Sequence, residues 1–207
     1  MRSFTVDLNP DRDVTLHATV YDLPAVAERP TSLEDPRPAV IICPGGGYTF
    51  LSQRETDPPA TGPNPAIDVA RAARGVEANA GLMTVSSRPD AVLPAYAVFN
   101  FDWKPEDFVA IGVEYQDCIA AVTDEVPPVF LWTTDEDQTV PPSQSLRFAQ
   151  ALSAACVPFE YHHFQRGVHG LATGTQVANN DRPTLPENVS AWVGLATAWL
   201  RATWAAR

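Results

Sequence analysis

The chain has 207 residues, of which 45% are hydrophobic and 19% charged, and its 14 Lys and Arg against 25 Asp and Glu give a formal net charge of -11. That length suits one compact domain, residues 1–207, with a single substantial core, and the composition excludes a disordered or fibrous chain. The acidic balance argues against a nucleic-acid partner, because affinity for the phosphate backbone comes from counterions released by Lys and Arg.

Residues 1–10 are polar and alternating and carry no charged-then-apolar leader, and no apolar run reaches the length of a membrane span. A cytoplasmic location and no membrane partner are therefore expected. Residues 4–8 and 14–21 alternate apolar and polar side chains around a Pro-Asp-Arg turn, the pattern of a hairpin with one buried face. After a linker rich in Pro and acid (29–37), residues 38–43 form a continuous apolar run that ends in Pro44, Gly45, Gly46, Gly47 and Tyr48. Such a run predicts a strand buried on both faces that delivers a glycine loop at its carboxyl end.

Residues 52–65 are mostly loop, and 66–74 form a helix that stops at Gly75 or runs on to about Ala80. Strands are expected over 90–98, despite Pro94, and over 129–133 and 159–164. A helix over 143–155 is marked by Leu146, Ala149 and Leu152 with Phe148 beside them. A second over 186–205 carries Val189, Trp192, Val193, Leu195, Trp199 and Leu200. Strands alternating with helices predict an α/β fold, a mostly parallel sheet covered on both faces. The three cysteines, Cys43, Cys118 and Cys156, are widely spaced in apolar surroundings, which predicts buried free thiols. Close ligand pairs for zinc are missing, so neither a metal nor a cofactor is expected.

Three loops carry residue types suited to catalysis. The glycines at 45–47 let backbone amides approach a ligand oxygen, as an oxyanion hole requires, though a tight turn needs the same residues. The stretch Asp135, Glu136, Asp137 follows a predicted strand, where an Asp can orient a histidine; the bland alternative is a solvated acidic loop. Asp137 is the preferred acid and Asp135 the fallback. His169, between Gly167-Val168 and Gly170, sits on a loop where its ring is accessible for general-base work, whereas His162 and His163 fall inside a strand and read as structural.

In order along the chain these segments resemble the α/β-hydrolases, and within them the carbohydrate esterases of acetyl-xylan-esterase type. Their oxyanion segment, Pro-Gly-Gly-Gly-Tyr followed by Leu-Ser-x-Arg-Glu, is matched here by Pro44 to Tyr48 and by Leu51, Ser52, Gln53, Arg54 and Glu55. The resemblance extends over 14–57, 64–80 and 88–199. It implies that Asp137 is the triad acid, His169 the base, and the amides around Gly46 and Gly47 part of the oxyanion hole. The implied substrate is a small ester or an acylated, above all acetylated, oligosaccharide; a homo-oligomer is compatible with the same reading.

The family's nucleophile sits in a Gly-x-Ser-x-Gly elbow, and the sequence contains no such string. Gly75-Val-Glu77-Ala-Asn79 follows a helix and carries Glu at the serine position. A strand-helix-strand crossover needs about a dozen connecting residues, which neither 58–65 nor 80–81 supplies. Two internal deletions are the simplest account, and the expected fold is an α/β-hydrolase shortened by the loss of central strand-helix units. Ser52 is the first substitute nucleophile, ahead of Ser86 and Ser87, and an inactive hydrolase-like protein that binds a ligand or partner is the alternative.

Overall fold

A computed structural model of the chain describes residues 2–9, 14–20, 89–103 and 117–205, the first two segments as backbone. The chain divides into two compact units, Met1–Val40 and Ile41–Arg207. In the first, β1 (Arg2–Asn9) pairs antiparallel with β2 (Val14–Val20), with the register shifting between Asp7 and Asn9. This is the hairpin that the alternation of residues 4–8 and 14–21 predicts. The expected strand over 38–43, the glycine loop, the helix over 66–74 and both deletion points lie outside the described residues.

The second unit is organised around β3 (Val129–Thr134), whose six residues are all buried. Val129 and Leu131 point into one apolar cluster, while Phe130 and Trp132 point into another. That is what a strand covered on both faces requires. β4 (Phe159–Phe164) pairs parallel with β3 from Val129↔Phe159 to Thr134↔Phe164, and α1 (Ser143–Ala154) makes the crossover. On the first face Phe148, Ala149 and Leu152 of α1 pack against Val129, Leu131, Val92 and Phe99. On the other, Trp192 and Ala196 of α2 (Ala191–Ala205) pack against Phe130, Trp132, Ala95 and Tyr96.

Three expectations need correction. Residues 90–98 run beside β3 in parallel but form only two isolated bridges, Val92↔Val129 and Ala95↔Trp132. Val92 exchanges bonds with Pro128 and Phe130, Pro94 accepts from Trp132, and Tyr96 donates to Trp132. Pro94 has no N–H to donate, so one rung is missing and a continuous strand gives way to two bridges.

The α2 helix starts at Ala191, not at 186, because Ala191, Trp192 and Val193 donate to carbonyls only three residues back, at Asn188, Val189 and Ser190. Such 3-10 geometry is a common helix entrance. Val193 and Leu195 are exposed, and so is Leu146 on α1.

The thiols are the third correction: Cys118 is half-buried and Cys156 exposed. Cys156 ends α1 in the left-handed region (φ 56), and the next amide, Val157 N–H, reaches back to Leu152 O at 3.0 Å. This six-to-one bond closes the helix and turns the residue at the left-handed position outward. Among the described residues no helix is long and apolar enough to cross a membrane.

Candidate active site

The carboxyl ends of β3 and β4 lie side by side because the strands are parallel, in register and joined by one helix. The loops that follow them therefore meet. Asp135, Glu136 and Asp137 are consecutive, and each finds a partner at every third residue of the segment that ends β4 and follows it. Asp135 Oδ1 lies 3.3 Å from His163 Nε2. Glu136 pairs with Arg166 and accepts the Gly167 N–H at 3.0 Å. Asp137 Oδ2 lies 2.8 Å from His169 Nδ1. The acidic stretch thus makes a set of cross-loop contacts, of which only Asp137 is buried. The Gly167 amide, with Arg166 second, holds the Glu136 carboxyl below its ordinary range.

Asp137 is fixed from both sides. Its Oδ1 accepts the Thr139 and Val140 N–H groups, each at 2.8 Å, so Oδ2 is left to face the histidine. Its side chain is 0% exposed and that of His169 is 32% exposed. A carboxylate accepts hydrogen bonds and does not donate them, so Nδ1 carries the proton, and in the neutral ring Nε2 is the acceptor. That is the tautomer a general base needs.

The loop carrying His169 is held along its length. Gly167 has φ +131, and a Cβ there would come within 2.8 Å of both Leu171 Cδ1 and Thr134 Cγ2, so only glycine fits. Arg182 Nη2 donates to His169 O at 3.0 Å. Asn179 Nδ2 donates to Leu171 O at 2.9 Å, and Trp192 Nε1 donates to Ala172 O at 2.9 Å. Tyr96 Oη accepts the Ala172 N–H at 3.2 Å, and its ring meets the imidazole edge-on with centroids 4.9 Å apart.

Of the residues singled out in the sequence, Asp137 and His169 come together. The fallback Asp135 faces His163, and His162 Nε2 contacts Glu160 at 2.7 Å. Gly45, Gly46, Gly47, Ser52, Ser86 and Ser87 lie outside the described residues. Sequence signals did not single out Glu136, Tyr96 or Arg182. Glu136 was legible in principle, since it stands beside the chosen acid and its partner Arg166 stands three residues before His169. Nothing local marks Tyr96 or Arg182. Among the described residues no group of three or more His, Cys, Asp or Glu is placed to hold a metal ion.

A parallel strand-helix-strand unit with helices on both faces, with Asp137 and His169 on the loops after adjacent strands, is an arrangement shared with the α/β-hydrolases. Solved structures with this fold include a sugar hydrolase from Lactococcus lactis, with a TM-score of 0.70 at 24% identity over 97% of this chain and 98% of that one. A carboxylesterase from Lactobacillus plantarum superimposes with a TM-score of 0.70 at 21% identity over 97% of this chain and 96% of that one. An acetyl ester-xyloside bifunctional hydrolase from Caldicellulosiruptor lactoaceticus gives 0.59 at 23% identity over 78% and 81%. The chain belongs to the prolyl oligopeptidase family, whose sequence model matches residues 72–186, more than half its length. It is also 33% identical over 112 residues to endo-1,4-beta-xylanase B of Butyrivibrio fibrisolvens, a match that takes in 47% of this chain and 16% of the xylanase.

Proposed function

We propose that this chain is built as an ester hydrolase for acetylated carbohydrate or other short-chain esters. Asp137 and His169 are its acid and base, and Gly45, Gly46 and Gly47 its oxyanion segment. The observation that carries this reading is the 2.8 Å contact between a fully buried Asp137 carboxylate and a partly exposed His169. Burial and two backbone donors hold the acid still, and exposure leaves Nε2 able to take a proton from a nucleophile. The carbohydrate part rests on the glycine segment and on the names of relatives, a xylanase, a sugar hydrolase and an acetyl ester-xyloside hydrolase.

Acyl transfer needs a nucleophile at the focus of base and oxyanion hole. With no Gly-x-Ser-x-Gly in the sequence, His169 acts on water, or on Ser52, and turnover is slow. Internal deletions near 58–65 and 80–81 account for the missing elbow. The same absence favours a second reading, an inactive hydrolase-like chain that binds its ligand without cleaving it.

Incubation with a fluorophosphonate probe, followed by mass spectrometry and by assays on p-nitrophenyl acetate and an acetylated xylo-oligosaccharide, separates the readings. Slow hydrolysis without a labelled serine is the expected result. A labelled Ser52 with brisk turnover removed by Ser52→Ala would replace water by serine in the mechanism. No hydrolysis above buffer, with retained binding of the oligosaccharide, would establish the inactive reading.

A further inference from the structure

Tyr96 is an unusual residue in an unusual place. It has φ 39, in the left-handed region where a bulky side chain is rarely found, and it is only 4% exposed. Strain of this kind persists only where the surroundings over-determine it. Here the backbone and both ends of the side chain are held. Its N–H donates to Trp132 O at 2.8 Å, which fixes it to the carboxyl half of β3 just after the rung that Pro94 cannot make. Its ring meets Trp132 edge-on at 4.9 Å on one side and the imidazole of His169 edge-on, also at 4.9 Å, on the other. Its Oη accepts the N–H of Ala172, a residue 0% exposed and itself at φ 49.

From these contacts we infer that Tyr96 is the positioning residue for His169, setting the imidazole's orientation toward Asp137 through its ring and the height of the following loop through its hydroxyl. This rests on the reading of Asp137 and His169 as acid and base. The Cβ–Cγ bond and the Nδ1 contact to Asp137 hold the imidazole at two points and still leave it free to tilt about the line that joins them. An edge-to-face wall removes that freedom, because the pair attracts beyond what area burial supplies. The hydroxyl matters separately, because without it the Ala172 N–H is buried and unpaired and the loop must open to find water.

The test uses the full chain labelled uniformly with 15N and compares wild type with Tyr96→Phe and Tyr96→Leu. The His169 Nδ1–H resonance, assigned by its disappearance in His169→Gln, reports the hydrogen bond to Asp137 without any need for turnover. Tyr96→Phe keeps the ring and should keep this resonance, while the Ala172 amide exchanges with solvent roughly fivefold faster for the loss of one hydrogen bond. Tyr96→Leu should lose or broaden the Nδ1–H resonance and leave those of His17, His162 and His163 in place. A sharp, unshifted His169 resonance in Tyr96→Leu, or an Ala172 amide whose exchange is unchanged in Tyr96→Phe, would overturn the assignment. Should Tyr96→Leu fail to fold, Tyr96→Met, which also removes the ring, carries the same His169 resonance test. An intact resonance that depends on Tyr96 in a chain whose hydrolysis ignores His169 would sink the catalytic reading and leave the positioning role standing.

Discussion

At the scale of single residues, the carboxyl ends of β3 and β4 set two kinds of acid side by side. Asp137 is buried, doubly held by backbone donors and aimed at one ring nitrogen. Glu136 and Asp135 are surface latches, one on the Gly167 amide and Arg166, the other on His163. The latches leave a mark on their neighbours: burial, with the Asp135 carboxylate adding to it, pushes the Tyr161 hydroxyl up to about 12 from an ordinary value of 10.0. Its folded value therefore lies above its unfolded one. Below pH 10 the phenol is neutral in both states and changes nothing; between pH 10 and 12 the unfolded chain loses the proton first, so stability falls as pH rises through that window. Urea midpoints taken across it should drop for wild type and drop less steeply for Tyr161→Phe; parallel curves would mean that Tyr161 is not held in its neutral form by the fold. Gly167→Ala should destabilise the chain by about 1–3 kcal/mol, since the new methyl meets Leu171 and Thr134 in a backbone region that disfavours any side chain. Chemical denaturation checks it, and a change within about 0.5 kcal/mol would show that the loop yields.

At the scale of elements, one face of each helix was legible and its edges were not. The apolar spacing in α1 correctly marks Phe148, Ala149 and Leu152, but Leu146 points to solvent, and the polar Gln144 is buried instead. Gln144 is inside because its Oε1 accepts the Phe99 and Asn100 N–H groups at 3.1 and 2.9 Å, beyond the two bridges that tie this segment to β3. Periodicity reads hydrophobicity, so a side chain buried for its hydrogen bonds is invisible to it. Leu152→Ala should cost about 2–5 kcal/mol and Leu146→Ala within about 0.5 kcal/mol, both read from urea unfolding. Equal effects would contradict the placement of α1. The 90–98 segment shows the same limit from the other side: its apolar run predicts a strand, and Pro94 reduces it to two bridges, at Val92 and Ala95, just before Tyr96 at φ 39.

At the scale of the whole molecule, the fold was readable because β3 opens on four apolar residues, Val129 to Trp132, and strands alternate with helices. The pairing of Asp137 with His169 was readable as order along the chain: both loops follow strands that one helix joins. What sequence order could not convey is how the site is held. Tyr96, Arg182 and Trp192 reach the histidine loop from segments far apart in sequence, through contacts only the folded chain creates. The family match over 72–186 takes in both loops and most of these supports.

Whether that pair moves protons is decided by kinetics. Hydrolysis of p-nitrophenyl acetate should be measured for wild type, His169→Ala and Asp137→Asn at matched folded concentration. Asparagine keeps an oxygen for the Thr139 and Val140 amides but turns a donor toward Nδ1, so it spoils the tautomer while sparing the loop. A general base is worth roughly 10²–10⁴-fold. Both variants should lose at least about a hundredfold of the catalysed rate with little change in melting temperature; a rate that survives both substitutions would contradict the assignment of Asp137 and His169 as acid and base.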